Sequence, residues 1–439
     1  MKELFLIKDN LANKISYYHM MLLLLSLPFD RFYSHLILAS LAIHTTIQFR
    51  KGSVKPLFTW RTVILQSVFW VTLAGTMYTI NFPQSLSEWE LDIPILLMPL
   101  IFCFNPLDLK KYRQNLLIIF SLGCTATIGY LYFDALATIL HYHLPLHSIL
   151  SPTFTNHNFS EPIDMHATFL SLQIAIALIY ILSRLVGERL STLTTLLFLF
   201  CSIMLTAGII QLSSKSIFAA LFLVINFAIP WFLLNGKRRL WYMLTMLGLS
   251  CILLAGIFNS RALRDRFFVE LKEDLSPSFA GQTVEPRSER WKIAVKLIQK
   301  SPVIGYGTGS EIQLLQEQYF TKKFYSSYLH RLNSHNQYLS LLIKTGMWGL
   351  SIYIVTLVYG FKRAVKKRDI VFFSLMILIA VVSLSENVLD VDKGVLFYSI
   401  FLNYFVFVSE QPEKIILPAK RHKFLKKVAT KQAIEPSLL

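Results

Sequence analysis

Charge is what this chain has least of. Of its 439 residues only 16% are Asp, Glu, Lys or Arg, against 54% hydrophobic. A soluble domain carries nearer a quarter charged, so the shortage excludes an ordinary soluble enzyme and points to a polytopic membrane protein. Cysteine is nearly as scarce. Cys103, Cys124, Cys201 and Cys251 all lie in apolar runs, and no C-x-x-C or Cys/His spacing occurs. Neither a disulfide framework nor a zinc or other metal site is therefore expected. The opening "MKELFLIKDNLANK" is not expected to act as a signal peptide, because charges interrupt it and no small-residue cleavage site follows. No internal repeat is visible, which weighs against transporters built on inverted repeats.

What the chain has in quantity is apolar length. Segments near 15–29, 33–49, 60–82, 92–106, 114–140, 166–183, 190–211, 216–235, 240–258, 336–361, 370–385 and 393–409 predict an all-α membrane protein of about twelve transmembrane helices. The net charge of +17 raises the question of nucleic acid, but its distribution answers otherwise. Basic clusters (Arg50/Lys51/Lys55/Arg61, Lys110/Lys111/Arg113, Arg184/Arg189, Lys237/Arg238/Arg239, Lys362 to Arg368, and the tail Lys414 to Lys431) alternate with the acidic connections "PQSLSEWELD" and "SENVLDVDK". That alternation is the positive-inside pattern and predicts cytoplasmic termini, with membrane lipids as partners and no nucleic acid. The expected organisation is nine transmembrane helices over 1–258, a large outer loop over 259–335, three more helices over 336–409, and a basic cytoplasmic tail over 410–439.

The large loop carries the polar chemistry. From Arg261 to Arg331 it holds twelve Lys/Arg against eight Asp/Glu, on the side where positive charge is usually sparse. Two readings follow: a solvated face of mixed charge, or a site for an anion such as phosphate, which the planar fork of Arg matches. Within it, Trp291, Ala294, Val295 and Ile298 form one apolar helical stripe, with Arg287, Lys292, Lys296 and Lys300 largely off it, the profile of a helix lying on a membrane surface. Ser301-Pro302 stops that helix. Gly305, Gly307 and Gly309 permit turns or close backbone approach, and Ser310 with Gln313 suggests a capping box for a second short helix. The glycines alone are weak evidence for phosphate, lacking the strand of a dinucleotide fold and the Lys of a P-loop. The loop then ends in Ser334-His335-Asn336, immediately before an apolar segment. Without other evidence this is a helix start capped by Asn333 or Ser334.

Taken together, Arg287 with Trp291 four positions on, then "SPVIGYGTG", then "NSHNQYL…KTGMWG" ahead of a span, resemble the O-antigen ligase family, which also contains O-antigen polymerases. The match is strongest over about residues 285–350. The resemblance implies a GT-C-like glycosyltransferase with a large periplasmic helical loop. It needs neither metal nor nucleotide cofactor, and it moves a glycan from undecaprenyl diphosphate to lipid A–core oligosaccharide with inversion. It further implies His335 as base on the acceptor hydroxyl and Arg287 on the diphosphate. Lys215, in "QLSSKSIFAA", stands where the family usually has a second arginine, and Arg290, Trp291, Gly305, Gly307 and Asn336 fall in the substrate-binding stretches. The chemistry is coherent: a sugar diphosphate brings its own leaving group, so the enzyme must supply cations for it and a base near neutral pKa.

Other candidates are less specific. Asp164 and His166 open a span on the outer side and are candidates to touch a sugar. His141, His143, His147 and His157 lack the spacing of a metal site, and Asp390/Asp392 in "LDVD" reads as an acidic turn. Arg261, Arg264 and Arg266 fit either phosphates or lipid headgroups. The competing functions are a polymerase of the same family and a transporter of lipid-linked sugars. The latter predicts repeats and ionisable residues at mid-membrane.

Overall fold

The computed structural model describes residues 2–29, 31–49, 59–276 and 285–410; the basic tail and the Arg50/Lys51/Lys55 cluster lie outside them. Among the described residues the regular secondary structure is helical, without strands. Helices overlie each of the apolar segments read from the sequence. These are α1 (Leu11–Ser26), α2 (Arg31–Ile47), α3 (Trp60–Gly75), α4 (Phe82–Phe104), α5 (Leu109–His141), α6 (Ala167–Gly187), α7 (Thr192–Leu212), α8 (Lys215–Leu233) and α9 (Gly236–Asn259). The large loop adds α10 (Arg287–Lys300) and α11 (Glu311–Thr321), and α12 (Gln337–Lys366), α13 (Ile370–Val382) and α14 (Asp392–Glu410) follow. Six of them (α5, α6, α7, α8, α9 and α12) are long and apolar enough to cross a membrane.

Two helices that are apolar all round form the centre, as such helices must. In α6 the residues from Ala167 to Ile181 are buried without interruption, and in α14 Phe397, Phe401 and Phe405 are fully buried. Phe401 meets Phe120 of α5 edge-on at 4.8 Å and Phe405 stacks on Phe372 of α13 at 5.4 Å. By contrast α9 is just as apolar, yet Ile257 is its one buried side chain. A helix whose Leu, Ile and Trp side chains find no protein partner needs an apolar solvent. The chain is a multi-pass helical membrane protein.

Two features position the site. The first is a break in α12 at Gly346 (φ 62°, ψ −154°). It frees the carbonyls of Ile343 and Lys344, which accept from Tyr306 N–H (2.9 Å) and Gly307 N–H (2.8 Å), while Met347 N–H donates to Pro302 O (2.9 Å). The loop segment 301–309 is thereby stitched into the kink. Only glycine fits there: a Cβ on Gly346 would lie 2.3 Å from Val303 O, and one on Gly305 2.5 Å from Ile343 O. The second is α10, which does stop at Ser301-Pro302. Its buried face is Arg290, Ile293, Ala294 and Leu297, rotated from the expected stripe, so that Val295 is exposed. The rotation follows from docking against α11 and α12, where Leu297, Leu315, Tyr319 and Ile343 share one core. Ser310 does precede α11, but its hydroxyl donates to Gly307 O, so the expected capping box does not form.

Candidate functional site

His335 occupies a left-handed backbone conformation (φ 46°), which a non-glycine residue holds only when its surroundings enforce it, at about 1–3 kcal/mol. The enforcement comes from both sides. Asn333 Oδ1 accepts from His335 N–H (2.9 Å), Glu311 Oε1 accepts from Ser334 N–H (2.9 Å), and Asn387 Oδ1 accepts from Asn336 N–H (2.7 Å). Trp291 Nε1–H donates to Ser334 O at 2.8 Å, which joins the tryptophan of α10 to this turn. Asn336, a substrate-binding candidate, caps α12: its Oδ1 accepts from Tyr338 and Leu339 N–H, a role the sequence suggested for Asn333 or Ser334.

The imidazole faces a carboxylate that the sequence reading missed. His335 Nδ1 lies 3.2 Å from Glu386 Oε2, with the two side chains 26% and 13% exposed. The other oxygen of Glu386 is 4.0 Å from Arg287 Nη2, and Arg287 Nη1–H donates to Ser385 O at 3.0 Å. Asp274 completes the surroundings of Arg287, 3.5 Å from its Nε. Burial pushes the Glu386 carboxyl up, but the hydrogen bond and charge of His335, with the charge of Arg287 behind them, outweigh it and hold the group below its ordinary value. With Nδ1 committed to a carboxylate, Nε2 of His335 is the nitrogen left to take a proton, and Glu386 is placed to stabilise the imidazolium that results.

Behind the turn lies a second charge cluster. Lys344, 6% exposed, sets its ammonium 2.8 Å from Asp390, 3.1 Å from Glu88 and 3.8 Å from Glu311, the last only 1% exposed. Asn387 Nδ2 bridges Asp390 Oδ2 (2.8 Å) and Glu311, so this cluster is continuous with the bonds that fix Ser334 and Asn336.

The remaining expected residues separate into those drawn to this centre and those held elsewhere. His166 caps α6, accepting from Thr168 N–H, and its ring meets that of His157 at 4.2 Å. Burial lowers its pKa to about 4, although Glu386 acts in the opposite sense, so it is neutral at pH 7; burial lowers His157 as well, helped by the charge of Arg266. Lys215 begins α8 and pairs with Glu270 at 3.4 Å, a carboxylate it shares with Arg266. Arg290 is 4% exposed, with Nε and Nη1 lacking a hydrogen-bond partner, and desolvation lowers its pKa. Gly305 and Gly307 are buried, and their N–H groups are committed to Ser301 O and Lys344 O. Their geometry is that of docking against α12 and Thr79, with no donor left for a phosphate. Asp390 and Asp392 face different partners, Lys344 and His35.

Beside the centre opens a cavity of about 690 Å³, walled on one side by His157, Glu161, Asp164 and His166 and on the other by Asp390–Lys393. The turn after α13 thus supplies Glu386 and Asn387 to the His335 centre and the following residues to the cavity. The residues joined here come from α10, the end of the large loop and the α13–α14 turn; the first two lie within one sequence stretch, and the third does not.

Comparison with curated proteins finds no match. Residues 197–354, which hold Lys215, Arg287, Trp291, both loop glycines and His335, match the family model described as O-Antigen ligase (Wzy_C).

Proposed function

We propose that the protein is a glycosyltransferase of the ligase type, moving a glycan from undecaprenyl diphosphate to lipid A–core oligosaccharide at the periplasmic face of the inner membrane. The alternating charge of the connections supports twelve crossings, cytoplasmic termini and a periplasmic loop over 259–335. The observation that carries the reading is the single carboxylate, Glu386, shared between His335 and Arg287. It brings a proton acceptor and a guanidinium within one site at the end of the loop.

In the reaction, an acceptor hydroxyl attacks C1 of the donor sugar. The new O–C1 bond forms as the C1–O bond to the diphosphate breaks, and the electron pair leaves with the diphosphate oxygen. The hydroxyl proton passes to His335 Nε2, whose positive charge Glu386 balances. Arg287, released from Asp274, is the planar donor for the departing diphosphate, and Lys215 with Arg266 adds charge beside it. Attack on the face opposite the leaving group inverts the anomeric centre. Both substrates are lipids, which accounts for a base at the junction of loop and span.

The test is reconstituted protein given undecaprenyl-diphosphate glycan and lipopolysaccharide lacking O-glycan. Ligated lipopolysaccharide is expected from wild type and not from His335→Ala. Equal product from both would remove His335 from the chemistry. Longer glycan on the carrier, with no lipopolysaccharide product, would make the protein the polymerase of its family.

A further inference from the structure

We infer that the 690 Å³ cavity lined by His157, Glu161, Asp164, His166, Asp390 and Asp392 receives the terminal sugar of the acceptor, and that it selects a sugar carrying no phosphate. The inference rests on the function proposed above and adds the chemical class of the acceptor residue.

The size is that of a small-molecule site rather than a packing defect. Its lining holds four carboxylates, one of which (Asp390) is paired with Lys344 at 2.8 Å behind the wall, against one ammonium, that of Lys393, which donates to Leu27 O at 3.4 Å. The two histidines add no positive charge at neutral pH, because burial keeps them unprotonated. Arg287, Arg266 and Lys215 are all outside the lining. A phosphate entering here would meet net negative charge at close range, whereas sugar hydroxyls are donors, and carboxylates accept from them in pairs.

The cavity also has unmet acceptors. Asp392 gives Oδ1 to His35 at 2.7 Å, but its Oδ2 is buried without a hydrogen-bond partner. That oxygen is closed to solvent, so the acceptors open to a ligand are the carboxylates of Glu161 and Asp164, both exposed. Among the described residues, neither Glu161 nor Asp164 has a side-chain hydrogen bond or ion pair, and Asp164 sits in the left-handed region (φ 47°), on the short turn before α6. His166 joins this wall to the reacting centre, since the charges of Glu386 and His335 both act on it.

The stereochemistry chooses acceptor over donor. The donor sugar is one bond from the diphosphate and must sit with the cations. The nucleophile approaches C1 from the opposite face, so its sugar belongs where the lining is poor in cations and rich in carboxylates.

The experiment uses the full-length protein in vesicles of phosphatidylethanolamine and phosphatidylglycerol, with undecaprenyl-diphosphate glycan as donor and O-glycan-free lipopolysaccharide as acceptor. Glu161→Gln and Asp164→Asn, singly and together, keep the shape of the wall, and Asn tolerates the left-handed backbone at 164. Loss of charge-assisted hydrogen bonds is expected to raise the acceptor KM by about tenfold in the double variant, with donor KM unchanged. In wild type, phosphorylating the acceptor's terminal sugar is expected to lower kcat/KM by at least about tenfold, and the double variant is expected to narrow that gap. A rise in donor KM instead, or equal use of phosphorylated and unphosphorylated acceptor by wild type, would overturn the assignment. His335→Ala separates the two claims: if it remains inactive while these shifts fail to appear, only the cavity assignment falls; if it stays active, the proposed chemistry falls.

Discussion

Lys344→Met probes the charge cluster that holds the His335 turn in place from behind. The ammonium is 2.8 Å from Asp390, 3.1 Å from Glu88 and 3.8 Å from Glu311. At these distances each pair attracts by about 4–6 kcal/mol at an effective dielectric near 20. Dehydrating the ammonium offsets most of that, so the measured effect is the penalty for leaving buried carboxylates without their counter-charge. Breaking a buried pair costs about 3–5 kcal/mol. The loss is expected in chemical unfolding of the detergent-solubilised protein, followed by tryptophan fluorescence. Asp390→Asn added to Lys344→Met removes one of the stranded charges and is expected to recover at least about 1 kcal/mol, a coupling of the size seen between contacting residues. Because Glu311 also holds Ser334 N–H, beside His335, transfer activity is expected to fall with stability. A loss below about 1 kcal/mol for Lys344→Met, or strict additivity in the double variant, would refute the view that this cluster is one electrostatic unit.

Glu386→Gln keeps the size of the side chain but removes the charge facing His335. It is expected to lower kcat by about 10–100-fold with little change in either KM, as loss of a group that stabilises the developing imidazolium does; an unchanged kcat would leave Glu386 a structural residue only. His166 gives a pH signature. Its folded pKa is near 4 against 6.5 unfolded, so the unfolded chain takes up a proton that the folded chain refuses. The stability it contributes is complete above pH 6.5 and is lost as pH falls through about 4; at about 1.4 kcal/mol per pH unit this amounts to roughly 3 kcal/mol. His166→Gln should flatten the wild-type stability profile between pH 6.5 and 4, and an unaltered slope would show that the ring is not held neutral.

The apolar runs were sufficient to locate the helices, because burial in lipid or protein is written in composition. The Arg287–Trp291 spacing and the Ser334-His335-Asn336 junction led to residues that do meet, through Trp291 and Ser334. Three things were hidden. Glu386 sits in "SENVLDVDK", where an acidic residue reads as ordinary charge on an outer turn; its pairing with His335 spans 51 positions and no local pattern signals it. Gly305 and Gly307 carry a phosphate-like spacing, yet they serve the approach of loop to helix, which depends on the break at Gly346. That break falls inside "KTGMWG", where a single glycine is compatible with continuous helix. Lys344 looks like a stray charge near the start of a span until its three carboxylates arrive from α4, α11 and the α13–α14 turn. Asn336 was legible as a polar residue at a helix start, but which of three neighbours caps the helix depends on the left-handed turn at His335.

The most direct test of the central claim is the lipopolysaccharide ladder of a host lacking this protein, complemented with wild type or with His335→Ala. The account predicts bare core and polymer retained on undecaprenyl diphosphate in the deletion, full rescue by wild type, and none by His335→Ala at equal protein level. A ladder that is unchanged by the deletion, or restored by His335→Ala, would contradict it.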